Sequence, residues 1–447
     1  MVRNHLSRRT ALLGLGAGLV TSALPARGAD GFADASEFGL DPAIDGDQSA
    51  ALQAAIDAAA KQGRTLLLPA GSYSAHDINL HGSIRGVTGQ TLLLSVSDAP
   101  VGRVANVTDA MLEGLSFSGG TGSPGDDRGL LGLEAAERAT IRDCFFTGSA
   151  IGLSAYASSA TIENCSFTQM GDAAIHSSDS LGLTIRGNRI SDCGNAGIRI
   201  WRNESGRDGS IVTGNRIERI GWVGGGNGQN GNGVNVFKAD DVIVSDNVIA
   251  DCAFTAVRVN SANNTQVRGN TCLNAGEVAI FSEFAFSGSV IADNIIDGAA
   301  SGISITNLDQ GGRLATCTGN IVRNIAAKSE VNPDARPVGI YAEADTVIAD
   351  NAIDNVPGIG VLAGWGPFVR NLVVADNVIS AVDTGIGVSV VQDTPAGPVR
   401  VSGNIITARE ATIVGMEWEK VVSDDLARDA ARYPNVAVLD NTVAPAS

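Results

Sequence analysis

Two glutamates, Glu283 and Glu343, and two arginines, Arg199 and Arg258, fall at equivalent outward positions of a short segment, Gly/Ala-apolar-x-apolar, that recurs along the chain. Carboxylates move protons, and guanidinium forks grip hydroxylated or acidic ligands. The same outward positions carry His176, Asn235, Asn260 and the rings Trp201, Phe237, Phe281 and Tyr341, with Lys238 one residue past Phe237. Eleven such segments supply two outward positions each, among which an aromatic content of 4% predicts about one ring where four stand. Rings interleaved with charges along an extended sheet suit a sugar polymer, whose pyranose faces stack while its polar groups meet charged partners.

Two catalytic chemistries fit these residue types. Glu283 and Glu343 lie two segments apart in one column, about 9.6 Å if strands stack 4.8 Å apart, at the upper edge of the ~6.5–9.5 Å carboxylate separation of inverting glycosidases. Alternatively, Arg258, one segment from Glu283, acidifies the C5 proton of a uronate and a base such as Lys238 removes it, giving β-elimination or epimerisation. Two plainer readings stand beside these. A Glu–Arg pair on a repeated surface is often a solvated ladder, and the long turns before Asn235 and Tyr341 can roof Trp201, Phe237 and Phe281 into a satellite core.

The elements that position these residues are legible in the repeats. A second motif, apolar-x-x-Asn-x-apolar, places asparagine at 188, 215, 247, 270, 294, 320, 351, 377, 404 and 441, about 28 residues per step, with Cys165, Cys144 and Leu115 in the same frame upstream. Between asparagines the apolar residues alternate with period two, which predicts short strands. A single unit cannot bury its apolar face, but stacked units can. The chain is therefore expected to be all-β, a parallel β-solenoid of about 13 or more coils. The asparagines are expected to take the left-handed turn and to bond one rung to the next through their side-chain amides. The inward pairs, from Ile151 and Leu153 to Ile413 and Gly415, contain no charge and no ring, which implies an interior free of aromatics. The matching outward columns run from Gly152 and Ser154 through His176 and Ser178 to Val414 and Met416.

At the N-terminal end, Leu52, Ala55, Ile56 and Ala59 form one helical stripe with Asp47 as N-cap and Gly63 as terminator, a helix suited to cover the open end of the solenoid. Residues 423–432 read as a short helix inserted in the last coil. Residues 1–28 carry Arg3, Arg8, Arg9 and Arg27 and no acid, followed from Thr10 to Ala23 by an apolar run. This is an export-signal layout too short to span a bilayer, and cleavage after Ala23 or after Gly28 fits equally. Loss of those arginines takes the net charge from −17 to about −21. Such acidity excludes a nucleic-acid partner, whose binding needs clustered cations, and a soluble, periplasmic or secreted monomer without a membrane anchor is expected.

These features resemble the right-handed parallel β-helix of the pectate-lyase-like superfamily over about residues 36–443, the Phe38-Gly39 and Pro69-Ala70-Gly71-Ser72-Tyr73 segments included. Ser7-Arg8-Arg9-Thr10-Ala11-Leu12 resembles a twin-arginine signal. Together with the asparagine repeats it resembles the twin-arginine-translocated β-helix-repeat proteins, a likeness that implies fold and an encounter with the twin-arginine export machinery but no activity. The superfamily resemblance implies a polysaccharide groove over the outward strand face, and calcium at an Asp/Glu cluster near Glu283. Apart from that calcium, no cofactor and no metal is expected. The motif sets of polygalacturonases and mannuronan epimerases are absent. The resemblance also admits a non-catalytic module that binds glycan or assists a periplasmic pathway, as β-helix accessory proteins of copper-enzyme maturation do.

Two further signals carry less. Gly226-Asn227-Gly228-Gln229-Asn230-Gly231 matches a phosphate-loop spacing but precedes a strand and no helix, so it reads as a cover over Trp201, Asn235 and Arg258. The six cysteines lack metal-ligand spacing and read as buried thiols, an oxidising compartment permitting a Cys144–Cys165 disulfide.

Overall fold

The computed structural model describes residues 31–119, 128–226, 228–306, 311–391 and 397–445; the signal segment lies outside them. One coil illustrates the rest. Strand Thr184–Arg186 leads through Gly187, at φ 65°, to Asn188, strand Arg189–Cys193 follows, and after a bend strand Ala196–Arg207 runs along the outward face. The first segment of every coil pairs in parallel with its counterpart in the next, building a sixteen-stranded sheet from Phe32–Asp34 to Val436–Leu439. The other two segments form a second set of parallel ladders that merge in later coils into long strands such as Thr271–Glu283 and Ile295–Thr306. The described chain is thus a parallel β-helix.

The asparagine column is an internal ladder. Asn188, Asn215, Asn247, Asn270, Asn294, Asn320, Asn351, Asn377 and Asn404 each donate from Nδ2 to Oδ1 of the next member at 2.8–3.0 Å, ending on Asn441. Each backbone N–H in the column also donates to that Oδ1, as Asn270 does to Asn294 at 3.0 Å. The left-handed residue is not the asparagine, as the sequence suggests, but the residue before it: Gly187, Gly214, Asp246, Gly269, Asp293 and Gly319 have φ from 57° to 69°. Glycine and aspartate tolerate that conformation, which frees the asparagine to point inward.

Two findings amend the sequence reading. Phe117, Phe146 and Phe167 stack inside the coil at 4.9 and 4.5 Å, so the interior is not free of rings; they sit on the strand after the asparagine turn, away from the segments first inspected. Strand Ile151–Tyr156 pairs Ser154 with His176 and Tyr156 with Ser178, two residues from the expected register. A shift of two keeps the same faces inward, and Leu153 and Ala155 are as apolar as Ile151 and Leu153, so hydrophobicity cannot detect it. The exposed ring of Tyr156 thereby joins the column of Trp201 and Phe237. The cysteines are as their spacing implied: all six are free and buried, with no Cys144–Cys165 bond, and burial pushes the Cys193 and Cys272 thiols up to about 12.

Helix Ser49–Lys61 buries Leu52, Ala55, Ile56 and Ala59 against the first coils. The N-cap is Gln48, which makes no side-chain cap bond, and not Asp47; Asp47, one residue earlier, accepts from the Ser49 backbone N–H at 2.9 Å, and Gly63 follows the helix at φ 66°. Near the far end a short helix, Leu426–Asp429, follows the one antiparallel pair among the described strands, Ile405–Glu417 with Lys420–Ser423. No described helix is long and apolar enough to cross a membrane.

Candidate functional site

Strand pairing sets the outward columns. His176, Arg199, Asn235, Arg258, Phe281, Ser304 and Tyr341 occupy successive rungs of one, and Trp201, Phe237, Asn260, Glu283 and Thr306 those of the other. Pairing of Ile305 with Ala342 places Glu343 next to Thr306, so Glu283 and Glu343 share a column two rungs apart. This face is not one open groove. Arg199, Asn235, Arg258, Glu283 and Glu343 are all buried, and the four expected rings are half-buried, because two loops fold over two separate clusters.

The first cluster is covered by the glycine-rich loop before Asn232. Arg199 grips Asp172 bidentately at 2.6 and 2.8 Å and donates to Asn230 of the loop at 3.0 Å. Burial alone would raise the Asp172 carboxyl, but the Arg199 bonds and charge outweigh it and hold it below its ordinary value. The Trp201 indole N–H donates to Asn235 at 3.1 Å, and Asn232 reaches the Gly228 carbonyl at 2.9 Å. A Cβ on Gly228 would sit 3.1 Å from Arg258 Nη2, so glycine lets the loop lie flat on the face. His176 packs edge-on to Trp201 with ring centroids 5.3 Å apart. The Lys238 ammonium lies 5.3 Å from the centre of the Phe237 ring and donates to the Asn203 carbonyl at 3.0 Å. The roof foreseen as an alternative is what covers this half.

The second cluster is built around Arg258. Its Nε and Nη2 bond Glu283 at 2.7 and 2.9 Å, Nη1 reaches Glu277 at 3.4 Å, and the guanidinium lies 4.9 Å over the Phe281 ring. Asn260 adds a bond to Glu283 at 2.7 Å. Arg258 is therefore engaged by the chain's own carboxylates, in conflict with a guanidinium waiting for a uronate. Glu277 takes further bonds from Asn332 at 2.7 Å and Thr255 at 3.2 Å. Sequence reasoning passed over Glu277 because it sits in a bulge between Ala275 and Val278, where the period-two pattern breaks.

Beside this cluster lies a cavity of about 310 Å³. Phe281, Tyr341 and Trp365 give it ring faces, Glu277, Glu283, Asp334 and Glu343 give it acid, and Ser301, Ser304, Thr306 and Asn332 give it neutral polar groups. Glu283 and Glu343, at 2% and 1% exposure, show it only an edge. The Tyr341 hydroxyl donates to Glu343 at 2.9 Å, and burial followed by the Glu343 charge pushes the phenol's pKa up. One wall is the loop carrying Asn332, Asp334 and Arg336. Arg336 pairs with Glu419 and lies 5.0 Å over Trp365, whose ring meets Trp418 edge-on at 5.5 Å. The antiparallel hairpin near the far end thus buttresses the cavity. Among the described residues no group of three or more His, Cys, Asp or Glu could hold a metal ion; at the expected calcium position the Arg258 guanidinium already lies between Glu277 and Glu283.

The family described as right handed beta helix region matches residues 128–224. The chain is a right-handed parallel β-helix. Among curated proteins none matches it. Its fold is similar to that of a tailspike protein double mutant of E. coli bacteriophage HK620, solved in complex with a pentasaccharide. That likeness has a TM-score of 0.62 and 12% identity over 92% of this chain and 81% of the other. It is also similar to the catalytic unit of a thermostable α-1,3-glucanase from Streptomyces thermodiastaticus, with a TM-score of 0.56 and 14% identity over 93% and 69% of the two chains.

Proposed function

We propose that this protein is an exported, polysaccharide-active β-helix that holds a sugar unit of its glycan in the cavity beside Tyr341 and Glu343. The observation that carries this is the combination, in one cavity, of three ring faces with carboxylates in a column two rungs apart. Rings bind pyranose faces and carboxylates order hydroxyls, and the cavity's volume suits about one sugar unit. The tailspike and glucanase, similar in fold, have names that point to saccharides, which supports the reading by analogy.

Hydrolysis fits the groups better than elimination or epimerisation, since Arg258 is engaged by Glu277 and Glu283. In this account Glu343 gives its proton to the glycosidic oxygen as the C1–O bond breaks, water adds at C1, and the proton that the water loses returns to the Glu343 carboxylate. Glu283, fixed as an anion by Arg258 and Asn260, stabilises the positive charge of an oxocarbenium-like transition state. Arg199, Trp201, Asn235, Phe237, Lys238 and His176 drop from the contact set, being committed to the first cluster or, for Lys238, to the Asn203 carbonyl. The test is product analysis over a panel of neutral, amino and uronate polymers. Reducing-end release that disappears in Glu343→Gln is expected; an unsaturated product absorbing in the ultraviolet would replace hydrolysis by elimination.

One observation favours a second reading, a non-catalytic glycan binder: both Glu283 oxygens already accept bonds from Arg258. Binding without any product across the panel would establish it. Export by the twin-arginine route belongs to the proposal on the strength of Arg8 and Arg9, and replacing both by lysine is expected to leave the uncleaved chain in the cytoplasm.

A further inference from the structure

We infer that the cavity selects a sugar bearing a free ammonium group over its N-acetylated or uronate counterparts. This rests on reading the cavity as a glycan site and adds the charge of the sugar. The first reason is charge balance. Glu277, Glu283, Asp334 and Glu343 line the cavity and Arg336 is the one basic residue among its walls. Arg258 lies behind them, so with Glu343 carrying the proton three carboxylates face two guanidiniums, and Arg336 is also drawn outward to Glu419. A uronate would bring a further negative charge among these carboxylates, where like charges repel. An ammonium group would offset the excess.

The second reason is independent of the carboxylates. Ring faces attract cations, and two of the cavity's three rings already hold one: Arg258 over Phe281 at 4.9 Å and Arg336 over Trp365 at 5.0 Å. The molecule itself thus shows that these faces accept a positive group. Tyr341, whose hydroxyl bonds Glu343, stands as the third ring beside the acid. A primary amine set between Tyr341 and Asp334 meets both a ring face and a charged acceptor, whereas an N-acetyl group cancels the charge.

The experiment is calorimetric titration of the purified chain with hexamers of glucosamine, N-acetylglucosamine and galacturonic acid at mildly acidic pH. Glucosamine hexamer is expected to bind tightest, by about tenfold or more, in keeping with a cation–π contact joined to a charge-assisted bond. The chain's net charge of −17 attracts any polycation, so Tyr341→Leu, which keeps that charge, is the control. It is expected to lose most of the preference, with folding checked by circular dichroism. A milder variant, Asp334→Asn at an exposed wall position, is expected to reduce the preference about threefold. Equal binding of the N-acetylated hexamer, tightest binding of the uronate, or a preference untouched by Tyr341→Leu would overturn the inference and leave the glycan site standing. No binding of any hexamer would overturn both.

Discussion

The two clusters on the outward face are built from the same parts and differ in arithmetic. Around Arg199 one guanidinium meets one carboxylate, Asp172, and the loop amide of Asn230 completes it. Around Arg258 one guanidinium meets two carboxylates, with Glu343 near by and a cavity alongside. The first cluster is balanced and clamps a loop onto the sheet. The second carries an excess of acid, which folding alone does not ask for and a ligand can use. On a repetitive scaffold the departures from balance mark function more sharply than the presence of charged residues does.

The largest expected effect tests this difference through stability. Arg258→Leu leaves Glu277 and Glu283 buried without their cation, which should cost about 3–5 kcal/mol in urea unfolding. Arg199→Leu should cost less, about 1–3 kcal/mol, because the Asp172 side chain keeps 26% exposure to water. Equal losses would break the distinction. Acid sharpens it next. The Asp172 carboxyl is held below its ordinary value of 3.8, so its contribution is present above that pH and disappears as pH falls through the lower folded value. Melting temperature against pH should therefore fall less steeply at the acid end in Asp172→Asn. The smallest pair is Tyr341→Phe and Asn230→Ala, each removing hydrogen bonds worth about 0.5–1.5 kcal/mol. Turnover should drop only in Tyr341→Phe, since Asn230 clamps a loop away from the reacting sugar.

Much of this was legible in the chain. The asparagine column, the inward alternation, the capping stripe of Leu52, Ala55, Ile56 and Ala59, and the shared column of Glu283 and Glu343 all follow from periodicity, which any stacked repeat must obey. What escaped lies where periodicity stops. Glu277 sits in a bulge, and Asp172 lies just before its strand. Asn332, Arg336 and Trp365 belong to loops whose paths no repeat dictates. The proximity of Arg258 and Glu283 was readable from register, but not that the guanidinium turns onto the carboxylate with both bonds.

The central claim is that the acid-rich cavity, and not the clamped cluster, receives the glycan. Hydrogen exchange followed by mass spectrometry, with and without the tightest-binding oligosaccharide, compares the two loops directly in one sample. The account predicts slowed exchange in residues 329–343 and unchanged exchange in the loop of Trp222 and Asn230. Protection confined to the Trp222 loop would contradict it.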